Sequence, residues 1–165
     1  MLADYNEYTY MANVDRDTVT LITFDTSKRL EGFEKIRYYY KKVVSLDDAE
    51  LTALYDIHYK VKYYDSIETT EIWNIDEGRP VGLLPNIEEN EVVIAVDHDA
   101  MDDTWTQFEK YAAAKKINLT DCIAYYIEKV YWKRNGVVED GKVEEREVSI
   151  NALKQSMVSI KRGNL

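Results

Sequence analysis

The chain has 165 residues, a formal net charge of −10, 45% hydrophobic and 32% charged residues, and only 6 Gly, 2 Pro and 1 Cys. This balance can bury a core within one domain over residues 1–165 and excludes a disordered chain, long flexible linkers and an intrachain disulfide. The longest apolar run, Val92–Val96, is too short to span a bilayer, and the acidic, aromatic Met1–Tyr10 lacks the basic and apolar regions of a targeting signal.

In chain order, Asn6–Asn13 and Thr18–Asp25 predict two strands around the Asp15-Arg16-Asp17 turn. In the second, Val19, Leu21 and Thr23 alternate with Thr20, Ile22 and Phe24. Lys28–Val44 predicts a strand in its second half, with a helix as the alternative. Ser45 followed by Asp47-Asp48 predicts a helix start, with Leu46, Ala49, Ala53 and Leu54 as its apolar face. Ile57, Tyr59, Val61 and Tyr63 alternate with His58, Lys60, Lys62 and Tyr64, the clearest strand pattern in the chain. Ser66–Ile75 fits either a strand or a helix. Asp76–Asn90 reads as an exposed connection, and Glu91–Val96 as a buried strand of mostly β-branched residues.

Thr104-Trp105-Thr106-Gln107 has the form of a capping box opening a helix to about Lys116. Asn118-Leu119-Thr120 matches a glycosylation sequon but reads better as a helix start. Thr120-Asp121 then caps a helix carrying Ile123, Ile127, Val130 and Tyr131, stopped at Asn135-Gly136. Val137–Val148 reads as a hairpin turning at Asp140-Gly141, and Ile150–Arg162 as a last helix with Leu153, Met157 and Ile160 apolar. The predicted fold is α+β: a mostly antiparallel sheet from the N-terminal half, with helices concentrated in the C-terminal half.

Charge is unevenly placed. Residues 65–103 hold 12 acids against one base, Arg79, a net of −11. The flanking stretches 1–64 and 104–165 carry −2 and +3. One reading is solvation of loops. The other is an electronegative surface that attracts a basic protein or a cation, with fast and salt-sensitive association.

The strand Val92–Val96 runs into Asp97-His98-Asp99, with Asp102 and Asp103 behind. Carboxylates at a strand end can hold a hard cation such as Mg²⁺. The Asp-x-Asp pattern resembles the first motif of haloacid-dehalogenase-type phosphatases over about eight residues, without the Gly-Thr that follows there. An EF-hand is excluded, since Asp102 stands where Gly is required. One cysteine and two distant histidines, His58 and His98, exclude a zinc site. His58 is expected to face solvent. Cys122, in a predicted first helical turn next to Asp121, is read as a buried thiol rather than a nucleophile. Gly-rich phosphate loops and serine-nucleophile elbows are absent.

Tyrosines stand among lysines at Tyr38–Lys42, Tyr59–Tyr64 and Tyr125–Arg134, a pattern that can stack bases, although a net charge of −10 repels polyanions. Rings tiling a half-buried sheet are the preferred reading.

The preferred function is a small acidic protein-binding inhibitor of cytoplasmic location, without catalytic residues, metal or cofactor. In size and charge it resembles the phage- and mobile-element-encoded DNA mimics of the anti-CRISPR and antirestriction type, which block the basic groove of a nucleic-acid enzyme. The residues assigned to the partner are Glu88, Glu89, Glu91, Asp97, Asp99, Asp102 and Asp103. The partner is a basic protein; membrane and direct nucleic-acid binding are disfavoured. The alternatives are a metal-dependent phosphoesterase or nuclease using Asp97 and Asp99, and a single-stranded nucleic-acid-binding module using the Tyr/Lys strands, including Lys41, Lys42, Lys60 and Lys62.

Overall fold

Alternation of apolar and polar residues places the first strands, and turn chemistry links them. The computed structural model describes residues 1–25, 31–64, 68–73, 86–97, 106–109 and 112–161. Among these, the strands are β1 (Leu2–Tyr5), β2 (Tyr8–Asp15), β3 (Thr18–Thr23), β4 (Glu34–Ile36), β5 (Tyr39–Ser45), β6 (Leu51–Tyr63), β7 (Thr70–Glu71), β8 (Glu91–Asp97), β9 (Thr106–Glu109), β10 (Ala112–Asn118), β11 (Cys122–Arg134) and β12 (Val137–Val148). The single α-helix among them is α1 (Ile150–Lys161).

The α+β expectation is therefore overturned: the chain is mostly antiparallel sheet, and its C-terminal half carries long strands with one terminal helix. At Ser45–Leu54 the predicted helix is replaced by turns leading into β6. The Asp47 N–H donates to Ser45 Oγ (3.2 Å) and the Glu50 N–H to Asp48 Oδ1 (2.9 Å), local bonds that compete with helix formation. The helix predicted through Lys116 is instead β9 and β10. Alanines favour helices, but β10 is held in antiparallel register with β8, Ala113 opposite Val96 and Ala114 opposite Ala95, and tertiary pairing overrides propensity.

The second predicted helix is β11. Ile127 and Tyr131, four apart, share a face in either a helix or a strand. The aromatic and β-branched content of Cys122–Arg134 favours the strand. Asn135-Gly136, read as a helix stop, is the turn of the β11–β12 hairpin. Both residues have positive φ (50° and 77°), as a type I′ turn requires. Asp140-Gly141 lies within β12 rather than at a turn.

The described chain divides into two compact units. The first comprises Met1–Ile57, Lys129–Glu144 and Ser156–Leu165. Its strands follow the order β12-β11-β6-β1-β2-β3-β5-β4. Because successive side chains alternate, this sheet builds two cores. On one face Ala3, Tyr5, Tyr10, Ala12, Val19, Leu21, Val44, Leu51 and Leu54 are buried together, with Phe33 and Leu46 against them. On the other, Leu2, Ala53, Tyr55 and Tyr131 pack with Ile57.

The second unit comprises His58–Glu128 and Glu145–Gln155. Here the end of β6 pairs with β7, and a separate sheet has the order β8-β10-β9. Val61, Ile72, Val92, Ile94, Ala113, Leu119 and Leu153 are among its buried residues. No helix among the described residues is long and apolar enough to cross a membrane.

Candidate functional site

The acidic residues assigned to a partner begin on a 3-10 turn, Ile87–Glu89, ahead of β8. Asn86 starts the turn by accepting from the Glu88 N–H through Oδ1 (3.3 Å), and its carbonyl accepts from the N–H groups of Glu89 (3.0 Å) and Glu91 (2.9 Å). Asn90 closes it in the left-handed region at φ 64°. Ile87 points inward and is buried, so Glu88 and Glu89 are presented outward and exposed. The turn is braced within its unit. Lys154 Nζ donates to Asn90 Oδ1 (2.6 Å), Asn118 Nδ2 to the Glu89 carbonyl (3.4 Å), and the Leu119 N–H to the Asn90 carbonyl (2.8 Å).

Glu91 differs from its neighbours. It opens β8 opposite Asn118 and forms an ion pair with Lys116 across the ladder (3.2 Å), which neutralises most of its field. Asp97 closes β8 opposite Ala112. Six residues separate Glu91 from Asp97, about 20 Å along an extended strand. The two carboxylates therefore mark opposite ends of one strand and do not converge on one cation. Asp99, Asp102 and Asp103 lie outside the described residues, as does His98.

The remaining candidates are accounted for by local contacts. His58, expected to face solvent, is half-exposed and has Nδ1 2.8 Å from Glu71 Oε1 across the β6–β7 pair. Cys122 is buried at the start of β11, not in a helix. Burial, with Asp121 beside it, pushes its thiol up to about 11, far from a reactive thiolate. Among the lysines of the Tyr/Lys strands, Lys41 pairs with Glu34 (3.6 Å), and Lys60 is clamped between Glu128 and Glu145. Burial works against the Lys60 ammonium, but the hydrogen bonds and charges of those two glutamates outweigh it and raise its pKa. Several tyrosines belong to the cores: Tyr5, Tyr10, Tyr55 and Tyr131 are all buried.

Comparison with protein-family models, curated proteins and solved structures finds no match. Residue chemistry alone therefore carries the functional reading.

One feature of the first unit escaped the sequence reading. An open cleft of about 450 Å³ is lined by Tyr5, Tyr10, Phe33, Lys42, Glu31 and Glu50, with Asn6 and Gly32 at its border. Lys42 sits opposite Leu21 in the β3–β5 ladder and two residues from buried Val44, so β5 aims it toward the core face. Its ammonium lies over the Tyr5 ring (4.8 Å to the centroid) and the Phe33 ring (5.9 Å), and donates to the Glu31 carbonyl (3.3 Å). Gly32, at φ 75°, lets the backbone approach: a Cβ there would stand 3.3 Å from Lys42 Nζ. The readable signal was a lysine at an inward strand position, in step with Tyr40 and Val44.

Proposed function

We propose that this protein is a non-catalytic binding protein. Its acidic middle segment occupies the basic surface of a partner, such as the nucleic-acid groove of a nucleic-acid enzyme, and competes there with the natural polyanion. The observation that carries this reading is the concentration of charge: 12 acids against one base in residues 65–103. Glu88 and Glu89 of this segment stand exposed on a braced turn, without a side-chain partner among the described residues. Carboxylates fixed in place meet a basic groove with little ordering cost, and their field speeds encounter. The neutralisation of Lys41 and Lys60 by glutamates weighs against direct nucleic-acid binding. A single cysteine, kept as a thiol, fits action in a reducing compartment such as the cytosol.

The test is capture of a partner by the immobilised protein, compared with the Glu88→Lys/Glu89→Lys variant. A basic protein retained at 50 mM NaCl, released at 500 mM, displaced by duplex DNA and lost with the variant is the expected result. Equal retention by the variant, or retention indifferent to salt and DNA, refutes the proposal.

A further inference from the structure

The cleft around Lys42 uses none of the acidic residues of segment 65–103, and its chemistry is different. A lysine directed toward an apolar core face is costly unless its head group is held. Here the ammonium is held by the π faces of Tyr5 and Phe33 and by a single carbonyl, that of Glu31, with no ion pair among the described residues. Cation–π attraction reaches to about 6 Å from a ring centroid, so both rings contribute. Tyr10 extends the aromatic wall, its ring 5.2 Å from that of Phe33. Three rings with two glutamates at the border, Glu31 and Glu50, form a cage suited to an alkylammonium ion, and the chain already places one there.

We propose that this cleft receives a lysine side chain from a partner protein, and that in the free protein Lys42 fills it as an internal stand-in. The charge balance selects a cation over an anion: Glu31 and Glu50 outnumber Lys42, on a chain of net charge −10. The exchange is also physically simple. Lys42 is tied by one hydrogen bond and two ring contacts on a flexible four-carbon stem. When it swings into water, an incoming ammonium meets the same rings and the same carbonyl. A ligand that must displace an internal occupant binds with its affinity reduced by the open fraction of the site. Removal of Lys42 therefore strengthens binding, and a trimethylated ammonium, which carries less hydration, binds more tightly than a free one.

The experiment titrates the full chain with Nα-acetyl-lysine methylamide and with its Nε-trimethyl counterpart, following the Lys42 Cε–Hε correlation by NMR. In the free protein that signal is shifted by the rings. Saturating probe is expected to move it to the position of a solvent-exposed lysine. Lys42→Met, which keeps the stem length, is expected to bind both probes more tightly, by about tenfold if Lys42 fills the cleft nine-tenths of the time. Tyr5→Leu is expected to abolish binding. An unmoved Lys42 signal at saturating probe overturns the proposal. So does binding of benzoate that is lost in Lys42→Met, because the cleft then takes an anion with Lys42 as its counter-ion. Should Lys42→Met fail to fold, the wild-type Lys42 signal decides alone. None of these outcomes bears on the acidic segment, whose own test uses Glu88 and Glu89.

Discussion

Lys133 is only 3% exposed, a rare condition for a lysine, and its surroundings explain how it is tolerated. Its ammonium donates to the carbonyls of Leu46 (2.8 Å) and Asp48 (3.1 Å), tying β11 to the turn between β5 and β6. Lys133→Met keeps the stem but leaves both carbonyls without their donor. A loss of about 3 kcal/mol in urea unfolding is expected, from two charge-assisted bonds in a dry setting. A loss below about 0.5 kcal/mol, the range of an ordinary surface change, contradicts that role. The acidic side chains of the core dictate an alkaline limit. Burial and Asp121 push the Cys122 thiol up to about 11, and burial with the Tyr64 hydrogen bond pushes Tyr63 up to about 12. Unfolding returns them to 9.0 and 10.0, so the unfolded chain loses these protons first. Their contribution is complete below about pH 9 and declines as pH rises through the folded values. The melting temperature should hold from pH 7 to 9 and fall above it, and Cys122→Ala should delay the fall toward pH 10. An onset unchanged in that variant excludes Cys122 as its cause.

Among the elements, the hairpins show where conformational strain is stored. Asn6-Glu7 joins β1 to β2 with both residues at positive φ, 49° and 68°. Asparagine tolerates that region, but glutamate pays about 1 kcal/mol for its Cβ. Glu7→Gly is expected to stabilise the protein by about 0.5 kcal/mol, since the looser unfolded chain offsets part of the relief. Gly136→Ala, at φ 77° with open space around it, is expected to destabilise by about 1 kcal/mol through backbone strain alone. Paired urea melts showing both changes with the same sign would refute this account of the turns. The same elements show what could be read in advance. Thr18–Thr23 and Ile57–Tyr63 alternate strictly, so their strands were legible. In Cys122–Arg134 the four-residue spacing of Ile127 and Tyr131 suits either period, and the Asn-Gly behind it was taken as a helix stop although it favours a hairpin more strongly. The acidic segment was legible as composition, but the pairing of Glu91 with Lys116 depends on the β8–β10 register. The cleft was illegible because Tyr5, Phe33 and Glu50 are brought together only by folding.

At the scale of the whole molecule, a net charge of −10 is a cost carried in the free protein. Like charges repel across the folded surface, and salt screens them over a Debye length of about 10 Å at 0.1 M. Exposed ion pairs such as Lys116–Glu91 respond in the opposite sense, but pairs of that kind contribute little. Stability at neutral pH should therefore rise as NaCl goes from 10 to 200 mM. Glu88 and Glu89 give the decisive variant, because they are exposed and their side chains have no partner among the described residues. Glu88→Lys/Glu89→Lys brings the net charge from −10 to −6, two acids replaced by two bases. If these acids are held for a partner, their reversal should raise the low-salt melting temperature and flatten its salt dependence while partner capture is lost. Stability and binding would then move in opposite directions, as they do when surface charge serves recognition rather than folding. If the reversal instead lowers the melting temperature, the two glutamates serve the turn they stand on, through its N-terminal dipole. The assignment of the acidic segment to a partner would then lose its exposed residues.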